Sequence, residues 1–462
     1  MVMESNTQVD VRVTPHARQL SERIKDRSVH IGIVGLGYVG LPLAVEFAKA
    51  GVRTTGFDVS PEKVLQINAG VNYIGDIKDD ELRDVVQKGR LSATTNWAEG
   101  ADVDVFFICV PTPMSHHKDP DVTYIEKSAE SIASILRPGQ LVVLKSTTYP
   151  GTTEHVVQPI LEKTGLKLGE EYFLAYSPER VDPGNEVWHT GNTPIVVGGV
   201  TPTCLALASE TIKIFVGHVH EVRSPKVAEM EKLLENTFRS VNIALVNELA
   251  QLCDRMGGIN MWEVIDAAST KPFGYMRFTP GPGVGGHCIP IDPYYLSWMA
   301  KRYDFETSFI TLAAKTNENM PFYVVDAAVR AIAEQPVALK DAHVVVLGAT
   351  FKKDVADSRH SLAEPILRLL RDKNVVNITL VDPLVDQFTF DWWDGRVETI
   401  PTQPLTEELV ENSNVVVLIT DHSAFDYEMV AAKAKHVIDS RNAFAKIENR
   451  HNITLVGGGS RD

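Results

Sequence analysis

One segment of the 462-residue chain combines a run of glycines with a cysteine and a carboxylate. From Gly281 to Trp298 it reads GPGVGGHCIPIDPYYLSW. Glycine and proline at this density exclude a regular helix or strand, so the sequence predicts a shaped loop that lets backbone approach a ligand closely. Cys288 follows the glycines, and Asp292 comes four residues later. A thiolate here could attack a carbonyl carbon, although a buried and inert cysteine is the structural alternative.

A second motif predicts a dinucleotide site. An apolar strand runs into GLGYVG, and a helix pattern and a second strand ending in Asp58 follow. In this context Gly35 permits the tight turn, Gly37 lets a diphosphate approach the backbone, and Gly40 lets helix and strand pack closely. Asp58 is expected to accept hydrogen bonds from the adenosine ribose, which favours NAD over NADP. A glycine-rich turn without a ligand is the alternative.

Polar residues also follow the next strands of this part of the chain. The strand predicted at 140–147 ends in Thr147, and the strand at 172–176 leads into SPER, which contains Glu179. Strands that alternate with helices indicate a parallel sheet with helices on both faces, and such sheets bind ligands beyond the carboxyl ends of their strands. Thr147 and Glu179 are therefore candidate site residues, while a capping threonine and a solvated glutamate are the alternatives.

A long helix is predicted at 226–256, since no proline or glycine interrupts its apolar pattern. A helix of about 30 residues spans about 45 Å, which suits a connector between domains and a place for dimer contacts. Lys232 and Asn236 lie four residues apart and share one face. A lysine that extends its ammonium to solvent is the alternative. Shorter helices are predicted at 17–24, 125–136, 261–268, 294–301 and 309–319.

The last part of the chain predicts a second doubly wound sheet, with strands at 343–347, 377–381, 415–420 and 436–438. Its first turn lacks GxGxxG, so a second dinucleotide is not expected there. Lys352 and Arg359 could instead hold phosphates. The predicted fold class is thus α/β, with two doubly wound Rossmann-like domains joined by a long central helix. The predicted divisions are an N-terminal extension (1–28), an NAD-binding domain (29–222), a central helical and dimerisation domain (223–330) and a C-terminal Rossmann-like domain (331–462).

Composition excludes several classes of function. A formal net charge of −15 argues against nonspecific nucleic-acid binding, which needs a basic footprint. The four cysteines lack CxxC spacing, so neither structural zinc nor a disulfide framework is expected, and a cytoplasmic location is favoured. His116 and His117 have no partner ligands at zinc spacing, and no metal is predicted. No apolar run approaches the length of a membrane span.

The motifs together resemble one family. IGIVGLGYVGLPLA, CVPTP, KST, YSPERVDPGN, KLLENTFR, GPGVGGHCIPIDP and FKKDVADSR occur in the order found in the UDP-glucose/GDP-mannose dehydrogenase family, over about 29–455. The resemblance implies NAD-dependent oxidation of a UDP-sugar at its C6 alcohol, in two steps, to the carboxylate. The flanks of the cysteine loop look most like the UDP-N-acetylglucosamine 6-dehydrogenase branch, with UDP-N-acetylmannosamine and UDP-glucose as the alternative substrates.

The resemblance also implies roles for individual residues. Cys288 resembles the nucleophile, which forms a thiohemiacetal and then a thioester, and Lys232 resembles the lysine that stabilises negative charge on the C6 oxygen. Asn236 and Asp292 resemble its companions, while Thr147 and Glu179 match positions that hold water and assist proton transfer, with Glu179 as the general base. The resemblance also implies that a further set of residues contacts NAD: Tyr38, Val39, Pro111, Thr112 and Arg359. Another set is implied to contact the substrate: Arg180, Gly285, Lys352 and Arg277. Of these, Arg277 would reach the partner subunit's substrate in a dimer.

Two other functions remain open from the sequence. A two-electron β-hydroxyacid dehydrogenase would share the N-terminal fold and a helical middle, but would need neither the cysteine nor a third domain. A non-catalytic nucleotide-sugar-binding protein would keep the folds and lose the chemistry. The number of NADH molecules formed per substrate separates these functions.

Overall fold

The structure is a computed structural model that describes residues 14–75, 77–115, 119–182, 184–185, 187–286, 289–392 and 394–459. The chain divides into two compact units. The first unit comprises Met1–Glu235 with Trp298–Asp304, and the second comprises Asn236–Ser297 with Phe305–Asp462.

The first unit contains eight strands in one sheet. Its strands are β1 (His30–Val34), β2 (Arg53–Phe57), β3 (Leu91–Thr94), β4 (Val105–Ile108), β5 (Gln140–Leu144), β6 (Tyr172–Tyr176), β7 (Ile195–Gly199) and β8 (Val219–Val222). Its helices are α1 (Pro15–Lys25), α2 (Gly40–Lys49), α3 (Pro61–Asn68), α4 (Asp79–Gln87), α5 (Thr123–Ala133), α6 (Gln158–Glu162), α7 (Pro202–Ile212) and the first part of α8 (Pro225–Met256). Short turns of 3-10 helix at Trp97–Gly100 and Lys301–Tyr303 and of π-helix at Thr153–Val157 complete the unit.

The strand order of this sheet is that of a dinucleotide-binding fold. It runs β3-β2-β1-β4-β5-β6-β7-β8, in which the first six strands are parallel. Alternate residues of β4 belong to different cores: Val105 and Phe107 pack on one side, and Phe106 and Ile108 on the other. Helices therefore cover both faces, as predicted.

The second unit contains a related sheet of seven strands. Its strands are β9 (His343–Leu347), β10 (Asn377–Val381), β11 (Gln387–Asp391), β12 (Val397–Gln403), β13 (Val415–Leu418), β14 (Val437–Asp439) and β15 (Ile453–Leu455). Its helices are the rest of α8, α9 (Met261–Ser269), most of α10 (Asp292–Ala300), α11 (Ser308–Ala333), α12 (Ala363–Asp372), α13 (Glu407–Asn412) and α14 (Tyr427–Lys433), with a 3-10 turn at Leu339–Asp341. The sheet order is β11-β12-β10-β9-β13-β14-β15. The predicted fold class, two Rossmann-like domains, is confirmed.

Two expectations need correction. Neither sheet is wholly parallel, because β7 pairs antiparallel with β6 and β11 pairs antiparallel with β12. The helix predicted to end at Asn319 instead continues through Pro321 to Ala333. Buried apolar residues beyond the proline, including Val324, Ala328 and Ile332, pack in the core of the second unit, so tertiary packing outweighs the hydrogen bond that proline cannot make.

Candidate active site

The glycine loop lies between β1 and α2, and its glycines differ in what surrounds them. Gly35 has a φ of +89°, a left-handed conformation that favours glycine. A Cβ on Gly40 would lie 1.8 Å from the Gly35 carbonyl oxygen, whereas a Cβ on Gly37 would meet no protein atom within 4 Å. Gly40 therefore serves close packing within the fold, and Gly37 borders open space.

Asp58 follows β2 and is fixed against this loop. Its Oδ2 accepts the backbone N–H of Leu36 at 2.8 Å, and its Oδ1 accepts that of Ser60 at 2.9 Å. The Tyr73 hydroxyl donates to the Leu36 carbonyl at 2.6 Å, so it holds the loop from the other side. Tyr73 was not assigned from the sequence, because an isolated tyrosine in a loop carries no motif.

The turns after β4 and β5 meet at the same edge of the sheet. The Thr112 hydroxyl donates to the carbonyl of Thr147 at 2.7 Å, and Ser146 donates to the carbonyl of Val110 at the same distance. Tyr38, Val39, Thr112 and Thr147 are half-buried and Pro111 is exposed. With the exception of Arg359, the residues predicted to contact the cofactor thus lie at the edge of the first sheet formed by the carboxyl ends of its strands.

Glu179 follows β6 and is held by several groups. Its Oε1 accepts the backbone N–H groups of Arg180 at 2.9 Å and Val181 at 3.0 Å, and its Oε2 lies 3.2 Å from the ammonium of Lys145. Burial alone would raise the pKa of Glu179, but the charge of Lys145 and the two amides outweigh it and hold this pKa below its usual range. Glu179 is therefore an oriented carboxylate at neutral pH.

Arg180, predicted to contact substrate, is engaged elsewhere in the first unit. Its guanidinium forms ion pairs with Glu235 and Glu231 of α8 and donates to the carbonyl of Pro194 at 2.8 Å. Burial and the neighbouring Glu235 carboxylate raise the pKa of Glu231 to about 7. The arrangement fastens the SPER turn to α8, and the structure shows Arg180 as an anchor of that turn.

Helix α8 positions two further predicted residues. Lys232 is buried on this helix and lies one turn before Asn236. Asn236 donates through Nδ2 to the carboxylate of Asp292, which is buried at the first position of α10. Asn236 and Asp292 are therefore brought together, as their predicted roles require. Cys288 and its neighbour His287 lie outside the described residues.

The glycine-rich part of the cysteine loop is packed inside the second unit. The N–H of Gly281 donates to the side chain of Asn247 at 2.9 Å, and Asn247 donates in turn to Asn317 of α11. A Cβ on Gly285 would lie 3.2 Å from the carbonyl of His360, within the FKKDVADSRH segment. The loop is thus fastened to two helices and lies against the segment that carries Lys352.

The three remaining predicted residues have different surroundings. Lys352 is half-buried in the turn that follows β9. Arg359 is about half exposed and forms a two-point interaction with the buried carboxylate of Asp357, at 3.0 and 2.8 Å. Arg277 is exposed and pairs with Asp266. Arg359 and Arg277 thus each pair with an acidic side chain of the second unit.

Arg441, which follows β14, is a site candidate that the sequence reasoning missed. Its Nε donates to the carbonyl of Ile419 at 2.8 Å, and within the described part of the chain its other guanidinium nitrogens form no hydrogen bond. A Cβ on Gly281 would lie 2.7 Å from Nη1, so this guanidinium reaches the cysteine loop. Its position after a parallel strand was the available signal.

Comparison with known proteins identifies the family. Three family models match successive parts of the chain: the NAD binding domain of the UDP-glucose/GDP-mannose dehydrogenase family at residues 29–216, its central domain at 226–319 and its UDP binding domain at 345–446. The chain belongs to the UDP-glucose/GDP-mannose dehydrogenase family.

Individual relatives agree with this family. A UDP-N-acetyl-D-glucosamine 6-dehydrogenase of Pseudomonas aeruginosa is 39% identical over 362 residues, 78% of this chain and 84% of the relative. A UDP-N-acetyl-D-mannosamine dehydrogenase of Pyrococcus horikoshii is 35% identical over 420 residues, 90% of this chain and 96% of the relative. A solved structure described as UDP-D-ManNAc dehydrogenase from the same organism superimposes with a TM-score of 0.84 at 33% identity, covering 93% of this chain and all of that one.

This dehydrogenase uses NAD, as predicted, and its first unit fits that cofactor. The open space beside Gly37 admits a diphosphate, and Asp58 lies where a ribose-binding acid is required. The predicted domain boundaries and site roles stay predictions. Among the described residues, no three His, Cys, Asp or Glu side chains cluster as metal ligands, and no helix there is long and apolar enough to cross a bilayer.

Proposed function

We propose that this dehydrogenase oxidises the C6 alcohol of UDP-N-acetylglucosamine to the carboxylate, with two molecules of NAD consumed per sugar. The observation that carries the proposal is the hydrogen bond between Asn236 and Asp292. Asp292 follows Cys288 by four residues in the sequence, and Asn236 follows Lys232 by one helical turn. The chemistry of a carboxylate, an amide, an ammonium and a thiol suits a reaction that passes through an oxyanion and ends with attack by water.

The first oxidation converts the alcohol to an aldehyde. The C6 carbon loses a hydride and its hydroxyl loses a proton, while Lys232 stabilises the negative charge that develops on the oxygen. When bound, NAD supplies the hydride acceptor for each oxidation. Gly35, Gly37, Asp58 and the turns at Thr112 and Thr147 would hold it, and the Glu179 carboxylate would act as the general base that takes the hydroxyl proton, directly or through a water.

The second oxidation requires a covalent step, because the aldehyde carbon must first gain a fourth substituent. The Cys288 thiolate adds to the aldehyde to give a thiohemiacetal, which loses a hydride and a proton to become a thioester. Water then attacks the thioester, which releases the carboxylate and returns the thiol. In this proposal Asp292 and Asn236 orient the attacking water and the C6 oxygen, while Lys232 stabilises the tetrahedral oxyanion.

The second unit supplies the groups for the rest of the substrate. We assign Lys352 and Arg441 to the anionic UDP moiety, because an ammonium and a guanidinium are the side chains that bind phosphate oxygens. Gly285 would allow close approach of the substrate to the loop backbone. Arg277 would reach the substrate of a partner subunit, and Arg359 would contact the cofactor.

The sugar is assigned by resemblance. The segments on both sides of Cys288 match the N-acetylglucosamine branch, and the relative at 39% identity carries that name. UDP-N-acetylmannosamine is the second candidate, because relatives named for it match up to 90% of this chain. The two sugars differ in the configuration of one acetamido group, and UDP-glucose, which lacks this group, is the third substrate to compare.

The proposed active form is a homodimer in the cytoplasm. Helix α8 exposes Phe238, Leu245 and Leu252 to solvent, with exposed fractions of 46%, 54% and 48%. These residues are spaced seven apart, so they lie along one stripe of the helix. A stripe of exposed large apolar side chains is typical of a surface that is covered by another protein surface.

Replacement of the cysteine tests the mechanism. We expect Cys288→Ser to produce at most about one hundredth of the wild-type uronic acid, because an alkoxide is hard to form at neutral pH and its ester hydrolyses slowly. The Cys253→Ser variant is the matched control and should retain activity. Product is followed by NADH absorbance and by mass spectrometry of the nucleotide sugar. Full conversion to the acid by Cys288→Ser would contradict the thioester mechanism.

A further inference from the structure

Lys145 places a positive charge inside the first unit. It is the first residue after β5 and is only 3% exposed. A buried ammonium is unfavourable unless hydrogen bonds and an opposite charge compensate for its lost hydration. Two groups after the neighbouring strand β6 do so: the carbonyl of Pro178 at 3.1 Å and the Oε2 of Glu179 at 3.2 Å.

Glu179 is the residue whose carboxylate these contacts hold in place. Its Oε1 is taken by the amides of Arg180 and Val181, and its Oε2 faces Lys145. The Oε2 is itself buried against the Lys145 ammonium, while the Glu179 side chain as a whole is 17% exposed, so its carboxylate is fixed in one orientation near the surface of the unit. Lys145 is buried behind it, at the same edge of the sheet as the glycine loop and Thr147.

The other titratable groups around Lys145 and Glu179 do not supply the positive charge that Lys145 places beside the Glu179 carboxylate. The thiol of Cys109, directly after β4, has a pKa raised by burial to about 12 and is therefore neutral. The guanidinium of Arg180 is paired with Glu231 and Glu235 on α8. Among the described residues, Lys145 is the cation whose charge acts on Glu179.

We propose that Lys145 is a positioning residue for the oxidation, which holds the Glu179 carboxylate in its reactive orientation and as an anion. Lys145 does not touch the substrate in this account and acts only through Glu179. The inference rests on the proposed function, in which Glu179 handles the water or proton of the reaction. A purely structural lysine, needed only to fill the interior, is the contrasting role.

The pH dependence of turnover separates these roles. Removal of a cation next to a carboxylate raises the pKa of the carboxyl by about one to three units. In Lys145→Met the acid limb of the pH profile of kcat should therefore move to higher pH by at least about one unit. On that limb kcat should fall about tenfold at a given pH, and it should recover in part at high pH. The KM for the UDP-sugar should change little. Lys145→Arg keeps the charge and should keep the limb near its wild-type position.

Two further variants make the test specific. Lys226→Met removes a cation from another ion pair of the first unit, that with Glu154 at 3.1 Å, and should leave the profile unchanged. Glu179→Gln, which cannot ionise, should remove most of the effect of Lys145→Met when the two are combined. If Lys145→Met is not folded by circular dichroism, Lys145→Gln carries the same comparison, since its amide can still donate to the Pro178 carbonyl.

The outcomes are distinct. The inference would be overturned if the acid limb of Lys145→Met stayed in place, with kcat lowered equally at all pH values, and if the effects of Lys145→Met and Glu179→Gln multiplied in the double variant. In that case NADH formation by the wild type would still support the proposed function. Absence of NADH formation by the wild type with every UDP-sugar would instead overturn the proposed function itself.

Discussion

Gly37 and Gly40 lie three residues apart in one loop, but a methyl group should have opposite effects at the two positions. At Gly40 a Cβ would lie 1.8 Å from a backbone oxygen, so we expect Gly40→Ala to lose about 3 kcal/mol or more of unfolding free energy. At Gly37 no protein atom lies within 4 Å, so Gly37→Ala should keep its stability and bind NAD at least about tenfold more weakly, because the methyl occupies the space for the diphosphate.

Thermal unfolding of both variants without cofactor, together with calorimetric titration with NAD, checks this pair. Wild-type NAD affinity in Gly37→Ala would show that the open space beside this glycine is not where the diphosphate binds.

Single residues were predictable from the sequence only where a motif names them. The glycines, Asp58 and Glu179 stand at fixed positions relative to strands, so local spacing is enough to propose roles for them, and those roles stay predictions. Lys145, Tyr73 and Arg441 gain their meaning from neighbours distant in sequence: Lys145 contacts the turn after the next strand, and Arg441 reaches a loop about 160 residues earlier. No local pattern encodes such pairings.

At the scale of elements, both sheets have an aspartate directly after their second strand, but the two aspartates have different surroundings. Asp58 follows the second strand of the first sheet and borders the open glycine loop. Asp382 follows β10, the corresponding strand of the second sheet, and its side chain is fully buried. It accepts the backbone N–H groups of Ala349, Thr350 and Leu384 and contacts the Nε2 of His422 at 3.1 Å. Asp382 therefore has a structural role.

We expect Asp382→Ala to lower the free energy of unfolding by about 2–4 kcal/mol, because it leaves three amides and a buried imidazole without their acceptor. Chemical denaturation measures this loss, and Asp372→Ala, at an exposed position of the same unit, is the control. A loss no larger than that of the control would contradict the structural role.

The same carboxylate predicts a pH dependence. Burial would raise the pKa of Asp382, but hydrogen bonds from His422 and from the amides outweigh it and hold this pKa below its usual range. A depressed pKa in the folded state contributes stability above the unfolded pKa of about 4, and this stability is lost as pH falls through the folded value. Below about pH 4 the difference in stability between wild type and Asp382→Ala should therefore shrink.

Helices and strands were predicted well where the hydrophobic periodicity agrees with glycine and proline at their ends, and less well where tertiary packing determines their limits or their pairing. The limits of three strands, β6, β9 and β10, and of the long helix α8 lie within a residue or two of the predicted ones. The extension of α11 through Pro321 and the antiparallel strands β7 and β11 were missed. Each depends on contacts between parts of the chain that lie far apart in sequence.

At the scale of the whole molecule, the exposed stripe on α8 predicts the oligomeric state. Leu245→Glu combined with Leu252→Glu should convert the proposed dimer to a monomer, because two charges per subunit would have to be buried without partners. Light scattering after size-exclusion chromatography measures the mass. Val376→Glu, at an exposed apolar position of the second unit, is the matched control and should stay dimeric. A monomeric wild type, or a doubly substituted variant that stays dimeric, would contradict this assignment.

The central claim is a four-electron oxidation of an acetamido sugar, and the yield of NADH tests it most directly. Limiting UDP-N-acetylglucosamine, UDP-N-acetylmannosamine and UDP-glucose are each supplied with excess NAD, and NADH is measured at the end of the reaction. We predict two NADH per UDP-N-acetylglucosamine, with little from the other two, because the thiohemiacetal releases a second hydride. One NADH per sugar, with the aldehyde as product, would contradict the thioester mechanism, and two NADH from another sugar alone would contradict the substrate assignment.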